Sequence, residues 1–404
     1  MPDKPKNIST DLRGAKSLTI DAINGVNGIV ESMHQTIGGF AGLLGRADKK
    51  PRKGISGHVY KSINMVTELV GGGLDTLLLQ LGKALGEKDA STSKREAVLS
   101  AINGVLGDHL VATKNPLQIP MQFRQNGKPV NQQTLNQAIE QADGRLLVLV
   151  HGSCMNDLQW NRKEHDHGQA LADELGFAPV YLHYNTGLHI SENGSKLALL
   201  LEDLLSNAPD NTRITLLAHS MGGLVSRSAC YYAGQSDCSW LEQLDTIVFL
   251  GTPHHGAPLE KGGNLVNHIV EINRYSAPFS RLLQIRSSGI TDLRYGNLVE
   301  HDWEERNRFK LHGDQRTPIP LPEGVACFAI AATKSEAPGK LGDELIGDGL
   351  VTVPSALGQH KNTVLELEFP KSHQWLGRQM NHWDLLNHAD VYSQIKQWLE
   401  AVPD

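Results

Sequence analysis

The stretch from Arg213 to Gly223, Arg-Ile-Thr-Leu-Leu-Ala-His-Ser-Met-Gly-Gly, limits the possible folds of this chain more than any other. Ile214, Leu216, Leu217 and Ala218 form a short apolar run, the pattern of a strand buried on both faces. Leu224 to Tyr232 reads as a helix. The chain must therefore pass from strand to helix through Ser220 in a very sharp turn. Such a turn crowds the backbone and needs small residues on either side of the serine. Ala218 and Gly222 stand two before and two after it. The turn lifts the Ser220 hydroxyl off the strand end and aims the amide of Met221 into the same space. The pattern predicts a nucleophile elbow, with alanine adding one methyl where glycine is usual.

The sequence around this stretch predicts an α/β fold, a mostly parallel sheet with helices on both faces. Strands are expected at Leu146 to Val150, Val180 to Tyr184, Thr246 to Leu250, Ala326 to Ala332 and Val364 to Phe369. Helices are expected at Asp166 to Leu175, Lys196 to Leu205 and, closing the chain, Trp383 to Trp398. Ahead of these, Leu117 to Val130 reads as a hairpin around Asn126-Gly127, and Gln132 to Gln141 as a short helix. Residues 257–322 interrupt the alternation with helical and loop material and are expected to cap the site. Apolar residues there, among them Leu259, Leu265, Ile269 and Phe279, either line an acyl pocket or pack the cap on the core.

Residues 1–115 read as helices without strands, with apolar residues at three- and four-residue steps from Ile20 to Leu44 and again from Val98 to Leu106. Their expected role is packing on themselves, on the main domain of residues 116–404, or on a partner chain, including a second copy. The alternative is attachment to a lipid surface. The polar face mixes acids with bases, which argues against binding anionic lipids.

Composition narrows the class. In 404 residues the formal net charge is -6 with no basic block, so no nucleic-acid partner is expected. The four cysteines are irregularly spaced and read as buried thiols, without metal-ligand spacing. The opening residues lack a secretory signal pattern, and no apolar run approaches the ~20 residues of a membrane-spanning helix. A soluble, cytoplasmic protein without a cofactor is the expectation.

A serine hydroxyl becomes a good nucleophile only when a base takes its proton, and a third group must orient that base. The strand at 146–150 ends in His151-Gly152-Ser153-Cys154, where Gly152 lets the backbone turn so that the Ser153 amide faces the elbow. The amides of Ser153 and Met221 then form an oxyanion-donor pair, each typically worth about 3–4 kcal/mol at the transition state. Asp348, between Gly347 and Gly349 after a strand, is the preferred acid; Asp343 and Glu344 are alternatives. Among eighteen histidines, His382 is the preferred base because it follows the last expected strand and completes the order Ser, Asp, His. His388 and His373 are its rivals. His254 and His255, in Gly251-Thr-Pro-His-His-Gly256, are expected in a turn beyond a strand end.

Together, Ala218 to Gly223, Gly251 to Gly256 and Asn381-His382-Trp383-Asp384 resemble the serine esterases and lipases of the α/β-hydrolase superfamily. The likeness is to bacterial lipases and PGAP-like hydrolases, and it covers about Arg145 to Leu399. It implies Ser220 as nucleophile, His382 as base, Asp348 as orienting acid and Ser153 and Met221 as oxyanion donors. The implied substrate is a small-molecule ester or a lipid. An aspartate two residues after the histidine binds calcium in some similar lipases; that position is Asp384, but no second carboxylate is assigned and no metal is expected. The first 115 residues lie outside the resemblance.

Overall fold

The computed structural model describes residues 92–257, 287–304, 314–337 and 347–402. The helices expected before residue 91, the alternatives Asp343 and Glu344, and the proposed acyl-pocket residues of the insertion lie outside the described residues.

The strand Arg145–Val150 (β3) sits inside an eight-stranded sheet and is buried along almost its whole length. Leu146, Val148 and Val150 face one core layer, and Leu147 and Leu149 face the other. Because both faces are covered, the strand is continuously apolar instead of alternating. The other strands are Gln122–Gln125 (β1), Lys128–Pro129 (β2), Ala178–His183 (β4), Arg213–His219 (β5), Leu244–Leu250 (β6), Ala326–Thr333 (β7) and Gln374–Arg378 (β8). Their order is β2-β1-β4-β3-β5-β6-β7-β8, parallel from β4 through to β8, with β1 antiparallel to both of its neighbours.

The order reverses at β3. The chain leaves it for β4 on one side and later returns as β5 on the other, paired so that Val150 lies opposite Ala218. A crevice at the carboxyl ends of strands is expected at such a reversal. Here the segments leaving β3 and β5, Gly152-Ser153 and Ser220-Met221, start side by side.

Helices α1 to α8 are Thr92–Ala112, Gln132–Gln141, His167–Leu175, Ile190–Leu205, Met221–Gln235, Ser288–Tyr295, Val353–Ala356 and Ala389–Ala401. Helix α1 is not a surface amphipathic helix. Val98, Leu99, Ala101, Ile102, Val105 and Leu110 are all buried, and so are Ser100 and Asn103. The Asn103 side chain donates to the carbonyl of Leu117 at 2.8 Å and accepts from the amide of Ile119 at 2.9 Å. The boundary expected at residue 115 thus falls just after a helix packed into the body of the α/β domain.

The last expected strand is displaced. Residues 364–369 form turns and extended loop, closed by the Leu367 amide bonding the Gly358 carbonyl at 2.8 Å, and the strand is Gln374–Arg378. Leu367 and Phe369 are apolar because they fill the core beneath that loop. β8 is a half-exposed edge, which leaves little hydrophobic pattern to read. The helix expected from Trp383 is also divided, into a 3-10 turn at Asp384–Leu386 and α8, with His388 as N-cap. No helix among the described residues is long and apolar enough to cross a membrane.

Candidate active site

Ser220 joins β5 to α5 with φ 55° and ψ -124°, a region that costs an L residue about 1–3 kcal/mol. Three contacts enforce it. The Ser220 amide donates to the Leu250 carbonyl at 2.8 Å. Gly222 presses on the end of β3, where a Cβ would overlap the Val150 carbonyl oxygen and lie 2.8 Å from that of His151. Gly152 abuts the serine itself, its missing Cβ only 3.0 Å from Ser220 Cβ. The extra methyl of Ala218 is accommodated in a fully buried position.

Met221 is the first residue of α5, so its amide has no partner inside the helix. The Ser153 amide lies in the turn Gly152–Met155, and among the described residues no backbone carbonyl engages either amide. The close contact of Gly152 with Ser220 sets the turn that contains Ser153 against the elbow.

Asp348 and His382 follow β7 and β8 and are both buried. His382 Nδ1 lies 2.6 Å from Asp348 Oδ2. The other carboxylate oxygen accepts from the amides of Leu350 and Val351, each at 2.8 Å, and the His382 amide donates to the Asp348 carbonyl at 3.2 Å. A carboxylate only accepts, so Nδ1 carries the proton and Nε2 presents a lone pair. Nε2 has no hydrogen-bond partner among the described residues. Gly251, at φ 57°, makes room for this ring, since a Cβ there would lie 3.1 Å from His382 Cε1. Ser220 Oγ and His382 Nε2 are not hydrogen-bonded to one another. Such bonds in unliganded sites are commonly long and tighten on binding.

His219 is a member of the site that the sequence reading missed. Its ring is fully buried, 4.7 Å from the His382 ring, and its Nε2 lies 3.3 Å from the His382 carbonyl. Burial, reinforced by the neighbouring His382, holds its pKa well below the ordinary histidine value, so it stays neutral. Its position inside the elbow motif was the available signal. His151 is likewise neutral, pushed down by burial to about 3, and stacks on Tyr184 at 4.5 Å.

The rival histidines lie elsewhere. His373 packs on Phe328 and sits 3.1 Å from the Cys327 carbonyl, near the start of β7 and so at the wrong end of the strands. His254 is buried against Phe249 and Phe369, with Arg227 beside it. His388 caps α8 by accepting from the Asp390 amide at 3.2 Å. Asp384 holds its own turn, taking the Asn381 amide at 2.9 Å. No group of three metal-ligating side chains occurs among the described residues.

Residues 141–316 match the model of the PGAP1-like alpha/beta domain family. That match covers less than half of the chain, whose eight-stranded, mostly parallel sheet has the α/β-hydrolase fold. The chain is similar to the GPI inositol-deacylase of Coccidioides immitis (strain RS), with 29% identity over 109 residues, 27% of this chain and 8% of that protein. The corresponding protein of Emericella nidulans is 28% identical over 109 residues, 27% of this chain and 9% of its own. The match thus spans less than a tenth of these relatives' length. Among solved structures, the mature Bacillus licheniformis lipase BlEst2 is 16% identical, with a TM-score of 0.42, over 65% of this chain and 93% of its own.

Proposed function

We propose that this α/β-hydrolase cleaves carboxylic esters through an acyl-serine intermediate. The observation that carries the reading is the buried His382–Asp348 pair, Nδ1 to Oδ2 at 2.6 Å, whose Nε2 has no partner among the described residues. Ser220 attacks the ester carbonyl while His382 Nε2 takes its proton. The oxyanion that forms is held by the amides of Ser153 and Met221. His382 then protonates the leaving alcohol, and water repeats the sequence on the acyl-enzyme. Asp348 keeps the imidazole in the required tautomer and stabilises the imidazolium. Every step uses only groups of the chain and water.

The match to GPI inositol-deacylases favours a second substrate class, lipid-linked acyl groups. Amides and thioesters suit the same machinery. A panel of p-nitrophenyl esters of increasing chain length, run beside thioester and phospholipid substrates, separates these classes. Covalent labelling by a fluorophosphonate distinguishes an enzyme from a hydrolase-fold binding protein.

The choice of base has its own test. His382→Ala is expected to lower kcat by about 10⁴-fold or more. His388→Ala should leave kcat within about twofold and cost about 1 kcal/mol of stability through the lost cap. Equal losses in steady-state assays of the two variants would put the base elsewhere.

A further inference from the structure

Helix α1 lies upstream of the matched family domain, yet it presses on the turn that carries one oxyanion donor. Gly104 faces Cys154 so closely that a Cβ would overlap its sulfur and stand 3.0 Å from its Cα. One turn on, Gly107 packs on Asn185, whose side chain donates to the Gly107 carbonyl at 3.1 Å. The Gly104 carbonyl accepts from Ser287 Oγ at 2.7 Å, and Asp108 takes the Ser288 amide at 3.2 Å, so the helix is fixed from its other side.

The turn needs such support. The Met155 amide closes it on the Gly152 carbonyl at 3.3 Å, and Cys154 occupies its third position with φ 58°. That conformation suits glycine and costs another residue about 1–2 kcal/mol. It persists where neighbours over-determine it. Thr186 Oγ1 accepts the Cys154 amide at 3.0 Å from one side, and Gly104 fills the other. Ser153 is the residue between Gly152 and Cys154, so a shift of Cys154 carries the Ser153 amide with it. The far end of the same loop is also tied to α1: Arg124 bridges Glu96, at 2.8 Å, to Asp157, at 3.4 Å.

We propose that α1 is a positioning element of the oxyanion-donor turn, acting through the contact between Gly104 and Cys154. The inference rests on the acyl-serine reading above. Gly104→Ala forces Cys154 outward, and Cys154→Ala leaves a gap at the same point. Each single change moves the Ser153 amide off its line, and the pair together sets the methyl added at position 104 where the Cys154 sulfur had been.

The test is a double-mutant cycle on the full chain with a p-nitrophenyl ester and a trifluoromethyl ketone, which becomes a tetrahedral oxyanion on the serine. Losing one oxyanion donor outright costs 10²- to 10³-fold. The expected result for Gly104→Ala is a kcat lower by about 10- to 100-fold with KM within about twofold, and ketone affinity falling in parallel. Cys154→Ala, which adds no bulk and so tests the contact even if Gly104→Ala does not fold, is expected to lose severalfold in both. The double variant should recover most of both losses. Single variants with wild-type kcat and ketone affinity, or losses that simply add in the double variant, would overturn the proposal. A wild-type protein that neither turns over an ester nor reacts with a fluorophosphonate would instead overturn the reading beneath it.

Discussion

Ser220→Ala is expected to lower ester turnover by about 10⁵- to 10⁶-fold while the protein stays folded. The size follows from the cooperative action of nucleophile and base: once the nucleophile is gone no acyl-enzyme forms, and only the donor amides and binding remain to help water. Stability should change by less than about 1 kcal/mol. The hydroxyl makes no hydrogen bond with another described residue, and alanine meets the same backbone strain at φ 55° that serine does. Steady-state kinetics on a short-chain ester, with intact-mass detection of the fluorophosphonate adduct, provide the check. Turnover persisting in a variant that cannot be labelled would place the nucleophile elsewhere.

Much of the site could be read from the sequence because its parts are local. The elbow needs only a strand, a serine and small neighbours within a few residues, and all of these are contiguous from Ile214 to Gly223. Asp348 was legible for a similar reason: the flanking glycines adopt φ 50° and 100°, and the carboxylate takes the amides of Leu350 and Val351 within its own turn. Chain order points to His382 as the base, and the displacement of the preceding strand does not alter that order, because the histidine lies beyond both the expected strand and Gln374–Arg378.

What was missed is non-local. Whether Leu367 and Phe369 sit in a strand or a core-filling loop depends on what covers them, and alternation alone does not say. The role of α1 was hidden because its glycines and asparagine look like weak points in a helix. Only contact with Cys154, Asn185 and the segment at 117–119 gives them meaning. His219 was passed over because nothing in sequence spacing brings its ring to the carbonyl of a residue far along the chain. The apolar residues expected either to line an acyl pocket or to pack the cap lie outside the described residues.

Loss of stability in mild acid is the second large effect expected. His151, His167, His219 and His254 are almost completely inaccessible to solvent. Burial pushes His151 down to about 3 and His167 to about 4, and holds His219 and His254 well below the ordinary value of 6.5. Between pH 6.5 and those folded-state values the unfolded chain binds more protons than the native one, so stability rises with pH across that window. The contribution is complete above about pH 6.5 and is withdrawn as the pH falls. Each ring contributes about 1.4 kcal/mol per pH unit. Four such rings make the decline large against the whole stability of a typical domain. Urea unfolding at pH 7, 6 and 5 should therefore show a steep decline, ending in a cooperative acid transition between about pH 5.5 and 4. His167→Gln removes one titrating ring while leaving a side-chain amide to meet the Leu385 carbonyl, which now lies 3.0 Å from His167 Nε2. It should reduce the slope by about 1.4 kcal/mol per pH unit. A stability that stays level from pH 7 to 5 would mean that these rings take up protons within the native fold, and the neutral state assigned to His219 beside the base would fall with it.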